Sequence, residues 1–358
     1  MIVIADDITG AAEIAGIAFE YGQQVRLVCG CDTATNWNDT DVITVIATDT
    51  RSMTAADAVA ETRRVAAPFA DGYIFKKTDS ALRGHVVEEL TALMETTGLR
   101  RAVYLPANPS KERIIREGTY YIKGVPIHKT DFSFDPEFPA RTSVLEERFP
   151  DAAVHGIIMP DAENEGDIIR TVREYDDGRT IFAGAADLFK IVLSFHKELR
   201  RNRQKEALPT SGFSLILCGS TQSKPLNLGI PIAPMPREVY DGEQGADEWL
   251  QKLDDSWPTA KGLILTIPHT HRTGKEVAVH LRTVMAEMTE HLVARHHPDQ
   301  LIIEGGATAW ATLRALGWTQ FDIRRQIAPG VVQMSAPSGT LVTLKPGSYP
   351  WGGLFGED

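Results

Sequence analysis

The chain has 358 residues, of which 43% are hydrophobic and 24% charged, a composition typical of globular proteins that predicts two domains. The formal net charge of -11 argues against nucleic-acid or anionic-membrane partners, and an anionic substrate would need a local basic site. No apolar run reaches the roughly 18 residues of a membrane span, and no signal-peptide pattern opens the chain, so we expect a cytoplasmic protein. The three cysteines, Cys29, Cys31 and Cys218, lack Cys-x-x-Cys spacing. We therefore expect a reducing compartment and no metal site built from thiols.

The N-terminal segment predicts a buried strand followed directly by two carboxylates and a helix. Ile2–Ala5 is apolar and rich in β-branched residues, as buried strands are. Asp6 and Asp7 follow, and Asp7 or Thr9 can cap a helix over Thr9–Tyr21. Both acids should therefore lie at the carboxyl end of a strand, where open α/β sheets bind ligands.

Strands and helices alternate through the first half, which predicts an α/β fold with a mostly parallel sheet flanked by helices. The later strands are predicted at Val25–Cys29, Val42–Ala47, Tyr73–Lys76, Ala102–Leu105, Gly156–Met159 and Thr180–Ala183, and the helices at Thr54–Ala66, Val86–Thr96, Glu163–Glu174 and Ala185–Glu206. A proline- and aromatic-containing polar stretch, Ala107–Pro139, predicts an ordered excursion over a site or a partner.

A second α/β domain follows a boundary that we place at Leu208-Pro209, which gives domains of residues 1–208 and 209–358. Its strands are predicted at Phe213–Leu217, Gly262–Ile267, Leu301–Glu304, Gly330–Met334 and Thr340–Leu344, and its helices at Lys275–Arg295 and from Gly305 through Leu316. The fold class is thus α/β, with a mostly parallel sheet flanked by helices in each of two domains.

Three predicted strands of the first domain end in charged residues. These groups are Asp6-Asp7, Asp49–Ser52 and Lys76–Gly84. Because parallel strands end on one edge, the groups should line a shared pocket suited to a polyhydroxylated acid. Arg51 or Arg83 could bind a carboxylate bidentately, and Asp6 or Asp79 could serve as a general base. Solvated loop charges and helix caps are the alternative explanation.

The second domain has glycine-rich strand ends instead. They are Gly219-Ser220, Gly305–Thr308 and Lys345–Ser348. Glycines followed by a helix N-terminus favour phosphate binding, although tight turns give the same pattern. Neither a Walker A motif nor a Gly-x-Gly-x-x-Gly fingerprint after a strand occurs, so a standard dinucleotide site is not expected.

In their order along the chain, these motifs resemble those of the four-carbon acid sugar kinases, which phosphorylate threonate, erythronate and their 3-oxo relatives. The matching segments are Ala5–Ala11, Thr48–Ser52, Lys76–Gly84, Gly219-Ser220, Gly305–Ala309 and Lys345–Ser348. The resemblance spans nearly the whole chain. It implies a sugar-acid-binding N-terminal domain, a nucleotide-binding C-terminal domain, and an active site in the cleft between them that closes about a hinge at residues 206–212.

The resemblance also implies which residues touch each ligand. The sugar acid would contact Asp6, Asp7, Arg51, Lys76, Lys77, Asp79, Ser80, Ala81, Leu82 and Arg83, and ATP would contact Ser220, Gly305, Gly306, Ala307, Thr308 and Gly347. We therefore predict a kinase that uses ATP and Mg²⁺, in which Asp6 or Asp79 orients or deprotonates the attacking hydroxyl. Lys76, Lys77 or Arg83 would offset the charge of the phosphoryl group. A homo-oligomer is compatible with the sequence.

The chain departs from the family pattern at three places. Ala81 replaces a Thr, Ala307 replaces an acidic residue, and segment 105–125 reads Asn108-Pro109-Ser110-Lys111-Glu112-Arg113 in place of a Pro-x-x-Gly-Arg pattern. We expect that segment to face the substrate and to alter specificity. Two other functions stay open: an aspartyl-nucleophile phosphatase, which the adjacent acids disfavour because its hallmark is Asp-x-Asp, and a non-catalytic two-lobed sugar-acid sensor.

Overall fold

The computed structural model describes residues 1–30, 41–135, 137–198, 212–219, 226–258, 260–268, 274–347 and 349–355. The chain separates into two compact units, Met1–Arg201 and Asn202–Asp358. The predicted boundary at Leu208-Pro209, residues 206–211 of the predicted hinge, and the predicted site residue Ser220 lie outside the described ranges. The predicted active site between the domains stays a prediction.

Unit 1 alternates strands with helices. Its strands are β1 (Ile2–Ala5), β2 (Gln24–Cys29), β3 (Val42–Ala47), β4 (Ile74–Lys77), β5 (Arg101–Leu105), β6 (Arg113–Arg116), β7 (Thr119–Ile122), β8 (Val125–Pro126), β9 (Ile157–Ile158) and β10 (Thr180–Gly184). Its helices are α1 (Ile8–Glu20), α2 (Ala55–Ala66), α3 (Val86–Thr97), α4 (Leu145–Arg148), α5 (Glu165–Tyr175) and α6 (Ala186–His196). The predicted alternation is confirmed, with most boundaries within two residues.

The main sheet of unit 1 is parallel throughout, in the order β2-β3-β1-β4-β10-β5-β9. Strands β1 and β3 are buried along their whole length, as continuous apolar runs in parallel sheets are. Strand β1 lies between β3 and β4, and Ala5 pairs with both Ala47 and Lys77. The three charged segments therefore leave the same edge of the sheet at the same level, as predicted.

The excursion after β5 forms a small antiparallel sheet of its own, β6-β7-β8. Its two hairpin turns place Glu117 (φ 48°) and Lys123 (φ 50°) in the left-handed region, each before a glycine with positive φ. That dipeptide conformation suits the twist of tight hairpins. Ile115 and Tyr120 are buried and anchor this sheet, so the excursion is ordered, as predicted.

Unit 2 contains strands β11 (Ser214–Cys218), β12 (Ile232–Pro234), β13 (Gly262–Thr266), β14 (Gln300–Glu304), β15 (Gln320–Ala328), β16 (Val331–Ser335) and β17 (Leu341–Lys345). Its helices are α7 (Arg237–Asp241), α8 (Asp247–Asp255), α9 (Lys275–His296) and α10 (Gly306–Ala315). The strands lie in the order β12-β13-β11-β14-β17-β16-β15, parallel up to β17 and antiparallel from there.

The predicted helix Ala185–Glu206 is too long. Helix α6 ends at His196, and Lys197 is extended, with φ -136° and ψ 143°. Its buried face ends at Leu193, so residues beyond it gain no apolar burial from staying helical. Residues 199–211, including the basic cluster from Arg200 to Lys205, lie outside the described ranges. In the ranges that are described, no helix combines the length and apolar character of a membrane span.

Candidate active site

Arg51 and Asp6 form the centre of the charged edge of unit 1. The Arg51 Nε donates to Asp6 Oδ2 at 3.0 Å, and its Nη2 donates to Asp6 Oδ1 at 2.9 Å and to Asp7 Oδ1 at 3.0 Å. The backbone N–H of Arg51 also donates to the Asp6 carbonyl at 3.2 Å. A fork of this kind fixes the orientation of a carboxylate as well as attracting it.

Asp7 is the N-cap of α1, as the sequence predicts. Its Oδ1 accepts from the Gly10 N–H at 2.9 Å and its Oδ2 from the Thr9 hydroxyl at 2.5 Å. A Cβ on Gly10 would lie 2.5 Å from Asp7 Oδ1 and 3.0 Å from Lys77 Nζ, so a larger residue there would have to displace the capping carboxylate. The cap ties the first helix to the ion-pair network.

The segment from Asp79 to Gly84, here called the site loop, folds around the Asp79 carboxylate. Asp79 Oδ2 accepts from the backbone N–H groups of Ala81 at 3.2 Å and Arg83 at 3.3 Å. The Arg83 guanidinium grips the same carboxylate, with Nε at 2.7 Å and Nη2 at 3.2 Å. Arg51 Nη2 lies 4.0 Å from Asp79 Oδ1, which joins the site loop to the Asp6 pair.

Glycine is needed at the end of the site loop. Gly84 has φ +99°, and a Cβ there would lie 3.4 Å from Asp6 Oδ2 and 3.8 Å from Arg51 Cγ. The side chains of Ala81 and Leu82 are both 1% exposed, so these residues shape the loop through their backbone.

The three carboxyls differ in proton affinity. Burial raises the pKa of Asp6 above its usual value, and Arg51 offsets this effect only in part. Burial acts in the same direction on Asp7, but Arg51 and Lys77 outweigh it and lower the pKa of Asp7. Burial is also outweighed at Asp79, by Arg83 and then Arg51, and the pKa of Asp79 is far below its usual range.

Lys76 does not belong to this edge. Its side chain is 1% exposed and pairs with buried Glu89, which also accepts from Thr50 and Thr62. Successive strand residues point to opposite faces, and Lys76 points away from the site. The direction of this side chain and its pair with Glu89 argue against the predicted contact between Lys76 and substrate. Lys77 points the other way, with Nζ 3.7 Å from Glu13 Oε2.

Arg113 was not singled out as a site residue in the sequence analysis, although it is the last residue of the named segment that departs from the family pattern. Its Nη1 donates to Ser80 Oγ at 2.6 Å, and its guanidinium carbon lies 5.6 Å from the centre of the Phe132 ring. Arg83 faces the same ring at 5.7 Å. The Tyr120 hydroxyl donates to the Ser80 carbonyl at 2.5 Å, which fixes this part of the site loop from below.

In unit 2, a buried ion pair lies where two central strands end. Glu304 and Lys345 pair in register, and Lys345 Nζ lies 2.5 Å from Glu304 Oε1. Lys345 Nζ also donates to the carbonyls of Pro346 at 3.1 Å and Gly347 at 3.2 Å, which holds the loop containing the predicted site residue Gly347. Burial, and then Glu304, raise the pKa of the Cys218 thiol to about 12.

Helix α10 begins where β14 ends, and its first turn carries the predicted nucleotide-binding residues Gly306, Ala307 and Thr308. Gly305 is the N-cap, with φ +99°, and its N–H donates to the Lys345 carbonyl at 2.9 Å. The Thr308 hydroxyl donates to the Gly219 carbonyl at 3.4 Å. A first helical turn next to glycines without side chains can receive phosphate oxygens on its N–H groups.

Acidic and other metal-binding side chains are not clustered into a metal site in the part of the chain that the structure describes. Across the described ranges, no three His, Cys, Asp or Glu side chains are grouped so that they could hold a metal ion. Kinases commonly hold Mg²⁺ through one or two carboxylates, water and the substrate phosphates. Mg²⁺ bound together with a nucleotide therefore needs no group of three protein ligands.

Two family models match separate parts of the chain. A family model described as a sugar-binding N-terminal domain matches residues 1–151, and one described as a nucleotide-binding C-terminal domain matches residues 242–349. A solved structure from Salmonella typhimurium superposes with a TM-score of 0.76 at 19% identity, covering 99% of this chain and 97% of that one. That likeness shows the fold.

Two curated relatives carry kinase names. The D-threonate kinase of Salmonella typhimurium is 31% identical over 151 residues, which make up 41% of this chain but only 35% of that protein. The 3-oxo-tetronate kinase of Methylobacterium radiotolerans is 25% identical over 99% of this chain and 97% of its own length. With a sugar-binding and a nucleotide-binding domain model and relatives of these names, the chain belongs to the four-carbon acid sugar kinase family.

Proposed function

We propose that this protein is an ATP- and Mg²⁺-dependent kinase that phosphorylates a hydroxyl of a small sugar acid, of the class of threonate, erythronate or 3-oxo-tetronate. The observation that carries the proposal is the ion-pair network of Asp6, Arg51, Asp79 and Arg83 at one edge of the parallel sheet. The names of the relatives and the nucleotide-binding domain match support the same reaction.

Arg113 binds the carboxylate of the sugar acid in this proposal. Arg51 and Arg83 already have carboxylate partners within the protein. Arg113, in contrast, contacts the Ser80 hydroxyl and the Phe132 ring, and no carboxylate of the described residues pairs with it. A guanidinium in that position favours an anionic ligand, and the adjacent Arg83, which is 30% exposed on its side chain, adds to the positive potential.

Asp6 accepts the proton of the attacking hydroxyl. Its raised pKa makes it a better proton acceptor than Asp79, whose carboxylate is held ionised by Arg83. The hydroxyl oxygen forms a bond to the γ-phosphorus, and the bond from that phosphorus to the leaving oxygen of ADP breaks. Lys77 and Arg83 offset charge during this transfer, and Mg²⁺ bound with the nucleotide would neutralise the phosphates.

The test is a screen for acid-dependent ADP release with threonate, erythronate, their 3-oxo relatives and a neutral four-carbon sugar alcohol. We expect one or more acids to release ADP and the alcohol to fail, and we expect Arg113→Gln to raise KM for the acid at least tenfold. Arg116→Gln is the matched control, because that arginine pairs with Glu163 on an exposed surface. Binding of an acid without any ADP release would point to a sensor instead.

A further inference from the structure

The guanidinium of Arg148 is bonded to backbone carbonyls on two sides. Its Nε and Nη2 donate to the Leu82 carbonyl at 3.2 and 2.8 Å, and its Nη1 donates to the Pro139 carbonyl at 3.2 Å. Arg148 is the last residue of α4. One side chain thus connects α4, the end of the excursion and the middle of the site loop.

Leu82 has an unusual backbone conformation. Its φ of 62° lies in the left-handed region, which residues with a branched apolar side chain rarely occupy. Such a conformation persists only where the surroundings hold it. The residues on either side, Ala81 and Arg83, donate their backbone N–H groups to the Asp79 carboxylate. A change in the backbone of Leu82 would therefore move these two donors.

Arg148 has no acidic partner within ion-pair distance among the described residues. Its donors go to carbonyl oxygens, and burial lowers its pKa. Its guanidinium carbon also lies 5.8 Å from the centre of the Phe149 ring. Carbonyl and ring contacts offset the lost hydration of a partly buried cation less well than a carboxylate does. A role in shaping the site loop explains why an arginine occupies this position.

The side chain also borders a cavity of about 670 Å³ on the back of the site loop, lined in part by Leu82, Gly84, His85, Phe138, Pro139 and Arg148. The cavity is wide enough to admit a small cation from solvent. Added guanidinium could therefore enter the space left in an Arg148→Ala variant and replace the lost group.

We propose that Arg148 is a positioning residue that holds Leu82 in the left-handed conformation and so places Asp79 and Arg83 for the sugar acid. This inference rests on the proposed kinase function and adds to it a residue that touches neither the acid nor the nucleotide.

The first experiment compares Arg148→Ala, Arg148→Lys and the control Arg141→Ala, an exposed arginine that lines the same cavity. We expect Arg148→Ala to lower kcat/KM for the acid at least tenfold while KM for ATP changes less than twofold. Added guanidinium or methylguanidinium at millimolar concentration should restore part of that loss. Arg148→Lys should stay impaired because an ammonium cannot span both carbonyls with a planar fork.

The second experiment removes the need for Arg148 to hold residue 82 in the left-handed conformation. Glycine adopts positive φ without penalty, so Arg148→Ala should cost several-fold less in the Leu82→Gly background than in the wild-type background. Equal losses in both backgrounds would overturn the proposal, as would equal effects on both substrates without rescue by guanidinium. If Arg148→Ala does not fold, Arg148→Lys supplies the same comparison. Inactivity of the wild type would reject the kinase function as well, whereas an active wild type with an unaffected Arg148→Ala would reject the positioning role alone.

Discussion

Asp6, Asp7 and Asp79 belong to one ion-pair network but have different chemistry because their surroundings differ. Asp7 caps α1. Asp79 binds the backbone of the site loop, and Arg83 keeps the pKa of Asp79 low. Asp6 is the one of the three whose pKa lies above its usual value, because Arg51 offsets burial only in part. Among these three residues, we therefore propose Asp6 as the proton acceptor and Asp79 as the residue that organises the site loop.

The Asp6→Asn variant tests the assignment of the base. Removing a positioned base typically costs about 10²–10⁴ in rate. We expect kcat to fall by that factor while acid and nucleotide still bind, as calorimetry would show. In the wild type, kcat/KM should decline as pH falls through the raised pKa of Asp6. Asp57→Asn, on the exposed start of α2, is the control and should keep full turnover.

The Asp79→Asn variant tests loop organisation through stability. The folded pKa of Asp79 lies below its unfolded value of about 3.9, so its contribution is fully present above that pH and is lost as pH falls. We expect the variant to lose about 2–3 kcal/mol of unfolding free energy at pH 7, because one partner of a largely buried pair is neutralised. Urea unfolding should show the difference shrinking below pH 4. A difference independent of pH would contradict this account.

At the scale of elements, the structure differs most from the sequence analysis in the excursion between β5 and α4. Strands β6, β7 and β8 escaped prediction because they are short, half-exposed and separated from one another by only two residues. The Pro-x-x-Gly-Arg pattern is absent before Arg113 because Glu112 stands in place of its glycine. It has φ 54°, so glutamate occupies a left-handed position where the family pattern has glycine.

The Glu112→Gly variant tests this strain. Glycine avoids the left-handed penalty of about 1–2 kcal/mol but loses about 0.5–1 kcal/mol of chain entropy. We therefore expect a gain of up to about 1 kcal/mol in unfolding free energy, measured by urea unfolding. Glu88→Gly is the matched control in the exposed first turn of α3, and it should destabilise by about 1 kcal/mol. A loss at Glu112 as large as that at Glu88 would contradict the strain.

Other elements followed from the sequence because the pattern was strong. The apolar run of β3 and the capped start of α1 are examples. The direction of the Lys76 side chain could not be predicted from the sequence. Strand β4 has two apolar residues followed by two lysines, all four are buried, and this pattern does not indicate which face carries the site. The clustering of Asp6, Arg51 and Asp79 was predictable from parallel topology alone, but the partner chosen by each side chain was not.

At the scale of the whole molecule, the two units are proposed to bind two different substrates, so a change in one unit should alter the kinetics of one substrate. In unit 2, a Cβ on Gly219 would lie 2.2 Å from Thr308 Oγ1 and 2.7 Å from Thr308 Cγ2. An alanine there must displace the first turn of α10. That turn is the proposed phosphate-binding element.

The Gly219→Ala variant should therefore raise KM for ATP about tenfold or more, the size expected from losing 1–2 hydrogen bonds to a charged group. The affinity for the sugar acid in the absence of nucleotide should stay unchanged, as calorimetry would show. Combining Gly219→Ala with Thr308→Ala removes the steric conflict and should recover part of the nucleotide affinity. An unchanged KM for ATP in the single variant would remove this turn from the nucleotide site.

The small sheet β6-β7-β8 is an insertion between successive elements of the parallel scaffold, and it places Arg113 beside the site loop. Evolution can consequently lengthen, shorten or reshape that insertion without redrawing the strands that present Asp6 and Arg51. On the proposed function, exchanging this insertion for that of a relative should change the preferred acid while Asp6 and Arg51 stay in place.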